Sequence, residues 1–289
     1  MNRHDAIIVC IDQSSTDFAT YCLTKAILYL DITANTNFLS QLRKLNGYAH
    51  QHRALAVVSL GLCPGLTNLL AAELITRYPH ADEISTGILL GLGEKHGKAA
   101  IEWTLDNLIK DFEYHHTPVQ SFGKSKEFQF AGINGKRKAY RFNFSDQHAL
   151  KENYPEKSFA TYLCLDSPWV TRLLSRLKKT GVTRLLHTKL LKKIAIRLFD
   201  SFSMGESIFA VSTSAYHNGK LLDRLSVSGK EESVITAKVT VICLEQFIGF
   251  NKYFGVMDLQ QLLTLQVFWE ELKSELFPCK QLSENISSN

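Results

Sequence analysis

The stretch Ala54-Leu-Ala-Val-Val-Ser-Leu-Gly-Leu-Cys-Pro-Gly-Leu-Thr-Asn68, continuing to Glu73, constrains the fold more than any other. Ala54 to Leu60 is too short and too rich in valine and leucine for anything but a core strand. Gly61, Pro64 and Gly65 stop it sharply, and a helix follows. In an open α/β sheet such a turn is a ligand edge, because free backbone N–H groups at a helix start attract anionic or electron-rich atoms. Pro64 has no N–H to lose and suits an early helical position. The expected binding edge is Cys63 to Asn68.

The residues before it repeat the pattern. Ala6 to Ile11 is a continuous apolar run ending at Asp12-Gln13, and Phe18 to Ile27 reads as a helix. A strand over Leu28 to Thr33 and a helix over Phe38 to His50 follow. Strands alternating with helices give a parallel, doubly wound sheet, whose carboxyl ends share one edge. Asp12 and Gln13, Asp31 to Asn35, and Cys63 to Asn68 therefore meet along that edge.

Beyond Pro79 the pattern changes to strands with turn signals. Glu127–Ile133 and Lys136–Phe144 flank Asn134-Gly135, and Ser207–Ala215 and Leu221–Val227 flank His217-Asn218-Gly219-Lys220. Asn-Gly pairs tolerate positive φ and mark hairpins. Pro168 to Lys179, Val234 to Ile248 and Leu259 to Leu276 carry helical spacing. The expectation is an α/β protein with an incomplete doubly wound parallel, Rossmann-type sheet (1-79), an α+β domain with a largely antiparallel sheet (80-228), and C-terminal helices packing back on the first domain (229-289).

The net charge of +5 and pI near 8.8 suit an anionic ligand but are too weak to indicate nucleic acid. Six cysteines without a Cys-x-x-Cys pair fit reduced thiols in a cytoplasmic protein and neither a disulfide framework nor zinc. No apolar run approaches the ~18 residues of a membrane span, and no charged-then-apolar leader opens the chain.

Asp31-Ile-Thr33, Gly61 to Asn68, His96-Gly-Lys-Ala-Ala-Ile-Glu-Trp103, Tyr140 to His148 and the Gly229 to Leu244 segment together resemble the saccharopine dehydrogenase-like oxidoreductases. The resemblance implies hydride transfer between NAD or NADP and a carbon–nitrogen bond of an amino-acid-like substrate. It places Asp12, Gln13, Asp31, Thr33, Pro64, Gly65 and Asn68 at the nicotinamide end, and His96 and Arg141 on the substrate side. No residue presents itself as the acid or base. The family opens with a strand, a Gly-x-Gly-x-x-Gly turn and a helix, and Ala6 here corresponds to about its fourth strand. The resemblance thus implies a truncated cofactor domain whose pyrophosphate cradle is missing. The alternative is a catalytically inactive remnant acting as a scaffold or binding partner. An open sheet edge further suggests a homo-dimer or completion by another polypeptide.

Other features read more plainly. Gly91-Leu-Gly93-Glu-Lys-His-Gly97 reads as a loop and not a relocated fingerprint. A fingerprint needs a βαβ unit with an acid near the end of its second strand, whereas Asp111 and Glu113 read as lying in or after a helix. Cys63 is a filler without a partner base. Asp31 and Asp12 could orient a ribose or a substrate ammonium, or cap helices. Arg141, Asp146 and His148 could hold a substrate carboxylate and amine or form a solvated face. His115-His116 lacks a third ligand, so no metal site is expected. Arg172 to Arg197 holds nine lysines and arginines and no acid. Its leucines recur at helical spacing, so the alternative is a basic amphipathic surface for nucleic acid or anionic lipid. Gly181 breaks the run, and it reads as a charged solvent face over leucines, so neither nucleic acid nor membrane is expected as a partner.

Overall fold

The computed structural model describes residues 5–93, 98–183, 188, 193–194, 197, 205–249, 252–273 and 276–278. The chain divides into two compact units: one comprises 1–80, 144–157 and 233–274, the other 81–143, 158–232 and 275–289.

In the first unit, strands β1 (Ala6–Val9), β2 (Leu28–Asp31), β3 (Leu55–Val58) and β12 (Gly255–Asp258) form a parallel sheet in the order β1-β2-β3-β12. Helices α1 (Asp17–Thr24), α2 (Thr36–Lys44) and α3 (Asn46–Gln51) bury Cys22, Leu23, Phe38, Leu39 and Leu42 with Tyr29, Ala56 and Val58 of one sheet face. Leu30 and Val57 point to the other face by the period of two and are also fully buried, so both faces are covered, as parallel sheets require. The remaining helices are α4 (Thr67–Arg77), α6 (Ser145–Asn153), α8 (Glu232–Phe247), α9 (Leu259–Leu262) and α10 (Leu265–Leu272).

The sequence reading missed β12, a strand of four residues that begins with a glycine and offers little periodicity. It also merged α9 and α10 into one helix. Leu263 and Thr264 are extended between them, and α9 has its own capping box: Asp258 accepts from the backbone of Gln261, whose side chain accepts from Asp258 N at 2.8 Å.

In the second unit, β4 (Glu83–Leu90), β7 (Ser125–Gln129), β8 (Lys136–Arg141), β9 (Ser158–Leu165), β10 (Ile208–His217), β11 (Lys220–Lys230) and β13 (Leu276–Pro278) form a sheet ordered β13-β11-β10-β4-β9-β8-β7. Five of its neighbour pairs are antiparallel, and β4 runs parallel to β9. Helices α5 (Lys98–Ile109) and α7 (Pro168–Lys179) and a small hairpin, β5 (Phe112–Tyr114) with β6 (Thr117–Val119), complete it.

The β10–β11 hairpin turns at Asn218-Gly219, with φ of 51° and 75°, as Asn-Gly chemistry requires. The Asn134-Gly135 hairpin has a longer connection than expected. Pairing stops at Gln129 opposite Lys136, and a turn closed by Ile133 N to Phe130 O, with Gly132 at φ 68°, fills the gap. Gly87 of β4 has a steric reason to be glycine: a Cβ there would lie 2.4 Å from the ring of Phe128, which packs across the sheet face.

Candidate functional site

The carboxyl edge of the parallel sheet gathers the ends of β2 and β3 with that of β12. The turn after β3 is tighter than the sequence suggests. Gly61 and Gly65 sit at φ 127° and 131°, and the Cys63–Pro64 peptide is cis. A Cβ on Gly65 would press on the Leu60 carbonyl carbon at 3.2 Å and the Ser59 oxygen at 3.3 Å. Pro64 is not the early helical residue expected of it. It is extended (φ −75°, ψ 161°), and α4 starts at Thr67, because the left-handed Gly65 has to reverse the chain first.

The N–H groups expected to be free are mostly used inside. Gly65 N donates to Asn68 Oδ1 (3.0 Å), Leu66 N to Gly61 O (2.8 Å), and Leu62 N to Thr236 Oγ1 of α8 (3.2 Å). Helix α6 packs against this turn. Asn68 Nδ2 and Ser145 Oγ are both buried and make no hydrogen bond among the described residues. Such groups cost about 1–3 kcal/mol each when left unsatisfied.

At the end of β2, Asp31 is 1% exposed and accepts from the Tyr29 hydroxyl (2.6 Å) and from Thr33 N (2.9 Å). Burial pushes its carboxyl above the ordinary carboxylate range, the two hydrogen bonds oppose this, and the charge of Asp12 adds to the rise. Thr33 Oγ1 accepts from Asn35 N (3.2 Å), and Asn35 Oδ1 caps α2 through Asn37 N and Phe38 N. Asp31 and Thr33 thus shape the β2–α2 loop. Asp12 is exposed, and Gln13 is half-buried with its amide 3.5 Å from Ile11 O.

The strongest polar knot at this edge escaped the sequence reading. Asp258, the last residue of β12, receives Arg43 Nη2 (2.7 Å), Arg43 Nε (3.3 Å), Ser59 Oγ (2.6 Å) and Asn153 Nδ2 (3.0 Å). Glu152 approaches Arg43 Nε at 3.3 Å. Burial, the largest single effect, would lower the Arg43 pKa, but the charge and hydrogen bond of Asp258 together with the charge of Glu152 outweigh it and the net shift is upward. The one local trace of the knot is the Asp-x-x-Gln capping box at Asp258.

Arg141 belongs to the second unit, whereas Asp146 and His148 lie on α6 in the first. The Arg141 guanidinium is buried over the rings of Phe112, Tyr114 and Tyr162 at 5.6, 5.6 and 5.5 Å, and Nη1 donates to Thr161 O at 3.3 Å. His96 lies outside the described residues. His115 and His116 form the β5–β6 turn at positive φ, with His116 beside Glu113 at 3.3 Å.

No known family profile and no curated relative match the chain. Solved structures that match include a meso-dapdh mutant from Clostridium tetani with DAP. It is 11% identical over 94% of this chain and 81% of that one, with a TM-score of 0.41. Another is an engineered D-amino acid dehydrogenase bound to NADP+, 12% identical over 93% and 81%, with a TM-score of 0.42. Similarity at this level carries no functional argument.

Proposed function

We propose that the chain is a saccharopine dehydrogenase-like, NAD(P)-dependent oxidoreductase acting on a carbon–nitrogen bond of an amino-acid-like substrate, with its cofactor affinity impaired. The observation that carries the reading is the shared carboxyl edge of β1, β2 and β3, where open α/β sheets bind ligands. Asp12 and Gln13 are its accessible polar groups, Asp31 and Thr33 set the loop behind them, and Pro64, Gly65 and Asn68 form the adjoining turn. His96 and Arg141 stand on the substrate side by the motif resemblance alone. A cytoplasmic homo-dimer belongs to this proposal. The free cysteines Cys10, Cys22, Cys63, Cys164 and Cys243 support a reducing compartment.

The described residues do not fit the pyrophosphate of a dinucleotide. No glycine-rich turn with open N–H groups joins a strand to a helix at this edge among them. That same observation favours a second reading, a catalytically inactive scaffold or binding partner. Titration with NADPH and with NADH decides between them. Quenching of tryptophan emission together with a raised Tm supports the oxidoreductase, since a ligand that binds the native state stabilises it by mass action. No response to either nucleotide supports the scaffold.

A further inference from the structure

We propose that the outer face of α7 docks on the surface of an anionic lipid bilayer. This inference stands apart from the oxidoreductase reading. The helix buries Thr171, Ser175 and Lys178 while it exposes Trp169 and Leu173 among cations, which an ordinary surface helix does not do. Its inner side is anchored by hydrogen bonds. Thr171 Oγ1 accepts from Leu165 N at 2.9 Å, Ser175 Oγ donates to Phe122 O at 3.4 Å, and Lys178 Nζ donates to Ile109 O at 2.6 Å. Lys178 also pairs with Asp111 at 2.8 Å.

On the outer side Trp169 is 68% exposed and Leu173 37%, set among the exposed Arg172, Arg176 and Lys179. Positions 169, 172, 173, 176 and 179 follow helical spacing and share one stripe. These three cations make no ion pair among the described residues. Val182, 46% exposed, extends the face, and the described residues farther along, Lys193, Ile194 and Arg197, repeat the mixture in exposed positions. Arg172 to Arg197 contains no acid to neutralise it.

A solvated face gains nothing by holding a tryptophan in water. A hydrated phosphate backbone rewards the cations but not the leucine and valine. A bilayer interface rewards all of them. Tryptophan partitions to the headgroup level, aliphatic side chains enter the acyl boundary, and arginine and lysine reach anionic headgroups. Among the described residues no helix is long and apolar enough to cross a membrane, and a peripheral contact of this kind needs none.

The test is flotation of the full chain with vesicles of phosphatidylcholine alone and with added phosphatidylserine. Binding is expected only with phosphatidylserine, with a blue shift of tryptophan emission that Trp169→Phe removes. Replacing Trp169 and Leu173 by Gln keeps the charge and should weaken binding at least about tenfold. Changing Arg172, Arg176 and Lys179 to Gln should weaken it about fivefold per cation. All these positions are exposed, so circular dichroism and Tm of the variants should match the parent. No binding to phosphatidylserine vesicles, or binding indifferent to both variants, overturns the proposal. Retention of a DNA duplex by the Trp169/Leu173 variant, with vesicles left unbound by the parent, overturns it in favour of nucleic acid.

Discussion

Ser59 donates to Asp258 at 2.6 Å and so ties the ends of β3 and β12, two strands whose residues lie 199 positions apart in the chain. Arg43 and Asn153 close the same carboxylate from α2 and α6. Asp258→Asn removes one charge of a buried pair and leaves Arg43 with Glu152 alone. We expect a loss of about 3 kcal/mol in urea unfolding. A loss under about 1 kcal/mol would mean the knot is not a structural centre.

Gly87→Ala should destabilise the second unit by about 1–3 kcal/mol, since the added methyl overlaps the fully buried Phe128 ring. Phe128→Leu introduced alongside it should recover part of the loss in Tm. An unchanged Tm for the single variant would contradict the packing of β7 across β4.

Asp31 carries a pKa raised by burial. The folded state therefore binds its proton more tightly than the unfolded state. The contribution of Asp31 to stability is favourable at acid pH and is lost as pH rises through its folded pKa. Asp31→Asn removes that slope. Relative to the parent, the variant should gain stability between about pH 4 and about pH 7. Urea midpoints at the two pH values check this, and a parallel pH dependence in both proteins would refute it.

Native iodoacetamide labelling at neutral pH should modify the exposed Cys10 first and the partly exposed Cys63 more slowly. Burial raises the thiols of Cys22, Cys164 and Cys243, the last two to about 12, so these should react only after unfolding. Peptide mass spectrometry reads the order, and native modification of Cys164 or Cys243 would contradict their placement.

Features governed by neighbours in sequence were legible without a structure. The apolar runs located β1 to β3, Asn218-Gly219 located its hairpin through positive φ, and helical spacing located α7, where Pro168 stands in the first turn as its missing N–H allows. The same rule misplaced Pro64, because whether a proline opens a helix depends on the conformation of the next residue, here a left-handed Gly65. It also left the turn's N–H groups free, when one of their acceptors, Thr236, arrives from 174 residues away.

The carboxyl edge illustrates the division. Residue type and spacing alone determined that Asp12, Asp31 and the Pro64–Asn68 turn end successive strands of one parallel sheet. Tertiary structure decided what each of them does there: Asp31 bonds inward to Tyr29, Asn68 closes its own turn, and Asp258 becomes the hub. Period and turn chemistry act over a few bonds and are written locally. The satisfaction of a buried carboxylate or N–H depends on which distant segments the topology delivers to it.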